Sequence, residues 1–262
     1  MSSQHHQSDP RVLNRRTLAH DHRHLASLLK PGMKVLDVGC GTGAITADIA
    51  TRVGPSGSVH GIDRDATLIV IAQNSHSAIP NLTFEVIDVL ALSTDRRYDL
   101  VTTARTLQWI SEPVNAIRKM VQCLIPQGVI ALLDFNHEEA SWVPSAPREF
   151  MAFYSAFLEW RKSHHWMNDI AEHLGDMLRQ ADVADIQVLS ADERISREHS
   201  DFEDRATIWV KVIESLGSLI QKEKLLSASD LQRARESYLR FVKIELEVHT
   251  IKMREAIGTY NQ

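Results

Sequence analysis

The segment that most limits how this chain can fold is Val35-Leu36-Asp37-Val38-Gly39-Cys40-Gly41-Thr42-Gly43. A short apolar run carries one acid, and three alternating glycines follow it directly. Glycine lets the backbone turn sharply and brings its N–H groups close to a ligand. Ala44 to Val53 then repeats Ile45, Ile49 and Val53 at helical spacing. Strand, glycine loop and helix begin a βαβ unit. The G-x-G-x-G spacing differs from the G-x-G-x-x-G of dinucleotide enzymes. Asp37 would repel a pyrophosphate and suits a ligand bearing positive charge.

The pattern continues. Residues 58–62 predict a second strand, 66–77 a helix, 82–86 a third strand and 98–103 a fourth. Ser111 is placed to cap a helix to Leu124, with Pro113 in its first turn, where proline is tolerated. Pro126-Gln127-Gly128 turns into a fifth strand at 129–133. Ahead of this series, residues 1–10 predict disorder and 11–30 a helix with Leu18, Leu25, Leu28 and Leu29 on its apolar side.

After Phe135 the texture changes. Residues 147–181 read mostly as helix, with an aromatic stripe of Phe150, Phe153, Tyr154, Phe157 and Trp160, which suits a core face first. Residues 183–189 predict a strand, 192–204 a solvated mixed-charge surface, and 201–240 charged helices broken near Ser227. Residues 241–253 fit both periods, and a last strand is the expectation.

Composition supports this asymmetry. Seven of the 11 glycines lie at or before Gly61, and the last proline is Pro147. With 44% hydrophobic and 24% charged residues the chain is an ordinary globular one. A net charge of −5 argues against nucleic-acid binding. Cys40 and Cys123 give neither a disulfide framework nor a zinc set. No run reaches the ~18 apolar residues of a membrane span, and the N-terminus lacks a signal peptide's apolar core. The expectation is a cytosolic, cytoplasmic protein. His5, His6, His20, His22 and His24 cluster early, but no acidic or thiol partners cluster with them; a polar arm is expected, and no metal.

Two further acids end strands. Asp63 lies 20 residues after Gly43, where a carboxylate can accept hydrogen bonds from both hydroxyls of a ribose. Asp65 is better placed to cap the following helix. Asp88 follows the third strand, where a loop Asp is usually a turn residue. Three acids at three consecutive strand ends point together to a ligand.

On these residues the chain resembles the class I S-adenosylmethionine-dependent methyltransferases, over about residues 30–135. Leu36 to Gly43 looks like their first motif, Gly61-Ile62-Asp63 their second and Val86-Ile87-Asp88-Val89 their third. Tyr98-Asp99-Leu100-Val101 with Leu107-Gln108-Trp109 looks like the fourth, and Leu124 to Gly128 the turn before the fifth strand. Within that superfamily it is similar to the branch of ubiquinone, menaquinone and small-acid methyltransferases. The resemblance implies an α/β fold: a Rossmann-like, doubly wound, mostly parallel sheet of about seven strands with a helical cap. One domain over 1–262 is expected, with an N-terminal arm (1–30), a cofactor core (31–135), a helical insertion (136–181) and last strands with inserted helices (182–262).

The resemblance also implies roles toward S-adenosyl-L-methionine. Asp37, Gly39, Cys40 and Gly41 would line its methionine part. Asp63 would hold the ribose beside Arg64. Asp88 and the Ile87–Val89 backbone would hold the adenine. Ala104, Arg105 and Thr106 would sit near the methionine end. The chain lacks the histidine pair of many relatives at Arg105–Trp109, and the Asn/Asp-Pro-Pro-aromatic motif of amino-methylating enzymes. A small-molecule acceptor is expected, in a pocket drawing on Arg16, Trp109, Asn136, Tyr154, Arg161 and Asn168, with His137 as candidate base. No nucleic-acid or membrane partner is expected. The rivals are an NAD(P)-dependent oxidoreductase and a non-catalytic methyltransferase-like partner protein.

Overall fold

The computed structural model describes residues 9–93, 95 and 97–261. The disorder expected over 1–10, and His5 and His6, lie outside them except for Asp9 and Pro10. The chain divides into two compact units. One comprises Pro10–Asp134, Ile170–Ala191 and Arg254–Gln262; the other includes Phe135–Asp169 and Asp192–Met253.

The first unit opens with three short helices, α1 (Pro10–Leu13), α2 (Leu18–Asp21) and α3 (Arg23–Leu28), where one helix was expected. Thr17 caps α2, its side chain accepting from the His20 N–H, and His22 turns the chain at φ −150°, ψ 54° between α2 and α3. Then come β1 (Lys34–Val38), α4 (Ala44–Val53), β2 (Ser58–Asp63), α5 (Ala66–Ser75), β3 (Leu82–Val86), β4 (Tyr98–Ala104), α6 (Pro113–Val121) and the start of β5 (Leu124–Val143). Asp65 caps α5, accepting from Thr67 and Leu68 N–H, and Pro113 opens α6, whose N-cap is Glu112 rather than Ser111.

The chain continues through α7 (Arg148–Ser163), α8 (Ile170–Gln180), β6 (Ala184–Ser190), β7 (Glu193–Ser196), α9 (Phe202–Ala206), α10 (Ile208–Lys222), α11 (Ala228–Ile244) and β8 (Val248–Thr259). The sheet order is β3-β2-β1-β4-β5-β8-β6, with β7 pairing β8, so eight strands stand among the described residues against about seven expected. The pairs β1–β2, β1–β4, β2–β3 and β4–β5 are parallel. β6 and β7 run antiparallel to β8. This is the α/β, Rossmann-like, mostly parallel sheet that the sequence implied. The order reverses between β1 and β4, and in such sheets ligands bind beyond the strand C-termini at that switch point. Leu25 and Leu29 from the N-terminal segment, and Ile49 and Val53 from α4, bury against Val35, Leu100 and Ala131 to form the core there.

Two expectations about the later strands are also corrected. β5 runs on to Val143, well past Leu133 and into the stretch read as a helical insertion. It gains a late partner: Glu247 N–H donates to Val143 O, and His249 Nδ1 lies 2.9 Å from Ser141 O. The tail is helical through Ile244, and the strand starts only at Val248. A Ser227–Asp230 capping box starts α11. At its other end the Arg197 guanidinium donates to Val242, Lys243 and Leu246 carbonyls, satisfying orphan acceptors where a cation is favoured. The 192–204 stretch is largely exposed, as expected, and is held in place: Asp192 accepts from Met253 N–H and pairs with Lys252, and Phe202 is buried.

In the second unit the aromatic stripe of α7 is buried. Phe150 stacks on Tyr238 of α11 at 4.1 Å, and Trp142 stacks on His249 at 4.7 Å. Trp209 Nε1 donates to His249 Nε2, so the His249 Nδ1–H donates to Ser141 O. Burial pushes that imidazole down to about 4.

Candidate functional site

The glycine loop is built at the switch point. Gly39, Gly41 and Gly43 take φ of 73°, 57° and 79°, the left-handed region that glycine enters without strain. The Gly39 and Cys40 N–H groups donate to Ile62 O at the end of β2, at 2.7 and 3.0 Å. A Cβ on Gly39 would lie 2.2 Å from Thr106 Oγ1, so the loop after β4 packs on bare backbone. Asp63 locks the loop. One carboxylate oxygen accepts from Gly41 N–H and the other from Asp65 N–H, both at 2.9 Å.

A pocket opens on this loop, lined by Leu13, Arg16, Asp37, Gly39, Cys40, Gly41, Thr42, Ala44, Ile45 and Ala104. Five of the residues expected from the sequence to touch a cofactor (Asp37, Gly39, Cys40, Gly41 and Ala104) thus share one cavity, and Arg16 joins them. Asp37 is 6% exposed and accepts from Thr46 Oγ1 at 2.7 Å. Burial drives its carboxyl up to about 6, against the opposing Thr46 bond and the nearby His22. Burial, with Asp37 and Asp63 near, also pushes the Cys40 thiol up. Thr42 Oγ1 is buried with no hydrogen-bond partner among the described residues. A buried orphan hydroxyl costs free energy unless something meets it.

The remaining expected contacts frame the loop. Arg64 is exposed, and burial raises the Asp63 carboxyl despite its two backbone donors. Ile87 N–H donates to Asp63 O, Asp88 is exposed and accepts from Leu90 N–H, and Val89 is buried. Val86 and Leu90 stand 49% and 43% exposed beside Asp88, an apolar surface that can take the face of a flat ring. Arg105 takes φ 60°, and its guanidinium reaches Asp21 O at 3.1 Å and Asp21 Oδ1 at 3.4 Å. Trp109 ends a single 3₁₀ turn and is half-buried.

The other expected residues belong to the second unit, where they bind one another. His137 N–H donates to Asn168 O, and the Tyr154 hydroxyl donates to His137 O. Arg161, fully buried, donates to Asn168 Oδ1 and Met167 O. Asn136 Oδ1 accepts from the Glu138 and Glu139 N–H groups. The His137 ring packs on Phe135, Phe157 and Trp209, and burial holds it well below the usual imidazole value. Sequence reasoning missed Thr46, Thr42 and Leu13. Thr46 lies on the first turns of α4, where a hydroxyl is easily taken for a surface residue. Leu13 carried no local sign of reaching Gly41.

A glycine loop at the switch point of a sheet, locked by one strand-end acid and backed by another, marks a Rossmann-like domain. Residues 29–182 match the family described as a methyltransferase domain, and the chain belongs to that family. It is 32% identical over 138 residues to a trans-aconitate 2-methyltransferase of Deinococcus radiodurans, covering 52% of each chain. It is 30% identical over 148 residues to a 2-phytyl-1,4-naphtoquinone methyltransferase of Thermosynechococcus vestitus, covering 56% of this chain and 60% of that one. It thus spans little more than half the length of these relatives. Among solved structures, the YcgJ protein of Bacillus subtilis superposes with a TM-score of 0.59 at 16% identity, covering 93% of this chain and 99% of that one.

Proposed function

We propose that this chain binds S-adenosyl-L-methionine in the glycine-loop pocket and transfers its methyl group to a small organic acceptor. The observation that carries the reading is Asp37, a buried carboxylate near the end of β1, beside a glycine loop already locked by Asp63. Such a carboxylate gains from a cation, and the ammonium of the cofactor is one. Thr42 Oγ1 offers a hydrogen bond, and Asp63 keeps lone pairs for a ribose. Asp88, Ile87 and Val89 would hold the adenine, with Arg64 over the ribose and Thr106, Arg105 and Ala104 behind the methionine end. Family membership and the two relatives, named for small organic acceptors, support the reading. The oxidoreductase and non-catalytic alternatives have no counterpart in those names. Calorimetric titration tests it: S-adenosylhomocysteine is expected to bind and NADH not, and the reverse overturns it.

When bound, S-adenosylmethionine supplies a methyl on a sulfonium, an already activated leaving group. The chain's task is then to hold the acceptor in place and keep water out, which can be worth up to roughly 7–11 kcal/mol. Arg16 and Trp109, and in the second unit Asn136, Tyr154, Arg161 and Asn168, are the proposed acceptor-side residues. His137 is the proposed base. Burial favours the neutral form of its ring, the form that can take a proton from a neutral hydroxyl or a carbon acid. His137→Gln is expected to lower kcat at least tenfold with the cofactor Kd unchanged. An unchanged kcat would remove His137 from the chemistry. Among the described residues no helix is long and apolar enough to cross a membrane; a cytoplasmic site of action fits this reading.

The reading has a pH signature. In the folded chain Asp37 binds a proton more tightly than when unfolded, so its contribution to stability falls as pH rises from 3.8 toward about 6. A bound cation reverses the preference and favours the carboxylate. Affinity for S-adenosylhomocysteine is therefore expected to be nearly full at about pH 7, to halve near pH 6 and to weaken about tenfold by pH 5. Asp37→Asn should flatten that profile in isothermal titration.

A further inference from the structure

His22 and Glu255, from opposite ends of the sequence, meet at the base of the N-terminal segment. His22 Nε2 lies 3.1 Å from Glu255 Oε1, with the side chains 1% and 0% exposed. Apart from this contact, neither Glu255 oxygen has a hydrogen-bond partner among the described residues. Glu255 lies on β8 opposite Leu189 of β6. Whichever of the two carries a proton between them, removing one strands the other in a dry interior, which is strongly unfavourable. The pair therefore fixes one point of the segment.

Several contacts surround that point. Just before it, Arg105 holds Asp21, and Leu18 N–H donates to Asp48. Just after it, Arg23 and His24 reach Ser190 O, both at exposed positions where such contacts contribute little. The His22–Glu255 pair is the deepest of these anchors. Further toward the N-terminus, α1 buries none of its residues, yet Leu13 sits against Gly41, and Leu13 and Arg16 both line the pocket.

We propose that His22 and Glu255 are positioning residues for cofactor binding: the pair pins the segment whose Leu13 and Arg16 form the outer wall of the glycine-loop pocket. The inference rests on that pocket being the cofactor site. The pin touches no ligand; it acts by holding the wall over Gly41.

The test uses the full chain and S-adenosylhomocysteine as probe. Wild-type binding is measured first, since its absence overturns the cofactor reading itself. Three variants follow: His22→Gln/Glu255→Gln, whose two amides can still hydrogen-bond and keep the interior satisfied; the wall variant Leu13→Ala/Arg16→Ala; and the two combined. The pin variant is expected to raise the Kd at least tenfold and to speed tryptic cleavage at Arg15, between α1 and α2, by a similar factor, while its thermal unfolding stays cooperative. The combined variant should bind no more weakly than the wall variant alone, because the pin works through the wall. Independent, multiplying losses, or a folded pin variant with wild-type Kd and cleavage rate, would overturn the proposal. If the pin variant does not fold, His22→Gln alone supplies the same comparison.

Discussion

Asp63→Ala is expected to weaken S-adenosylhomocysteine binding by about 1–3 kcal/mol, or about 5- to 150-fold in Kd, with the fold retained. Two losses combine. A carboxylate able to accept from ribose hydroxyls disappears, and the Gly41 and Asp65 N–H groups lose their acceptor. Asp63→Asn separates these contributions. Its amide oxygen can still accept from Gly41, while its NH2 faces Asp65 N–H as a second donor. An intermediate Kd for Asn is the expected result. Equal affinity for wild type, Asn and Ala would remove Asp63 from the site.

Gly39→Ala should be more damaging to the chain itself. Holding a non-glycine residue at φ 73° costs about 1–2 kcal/mol. The new Cβ would also meet Thr106 Oγ1, Cγ2 and Cβ at 2.2, 2.5 and 2.8 Å. Overpacking of this kind typically costs about 1–3 kcal/mol. Thermal denaturation should show both penalties, and cofactor binding should fall with them because the loop after β4 is displaced. The second substitution Thr106→Gly removes all three clashing atoms and should recover the steric share while leaving the backbone share. A fully stable Gly39→Ala chain with wild-type affinity would refute the close packing of these two loops.

The parts of the site readable from sequence are those whose chemistry is local. The glycine loop and Asp63 announce themselves because a turn needs glycine and a strand end needs a polar residue. The first five strands were legible for the same reason: each apolar run is short and bounded by turn residues. What escaped depended on partners far along the chain. β5 extends to Val143 because β8 is there to pair with it. Phe241 and Val242 fit two periods, and Arg197, just past the end of β7, decides for the helix by holding its last carbonyls. Tyr154, Arg161 and Asn168 read as pocket residues by type; the fold gives each an internal partner, and acceptor contact stays a proposal. His22 looked like one polar histidine among five, since nothing near it in sequence announces Glu255.

The raised Asp37 carboxyl changes what occupancy of the pocket means. Below about pH 6 the side chain holds a proton when no other positive charge is beside it. A cation that settles there displaces that proton into solvent. Below that pH, filling the site is an exchange of one positive charge for another; above it, the cation meets a carboxylate already ionised. An anionic guest of the same shape has nothing to trade.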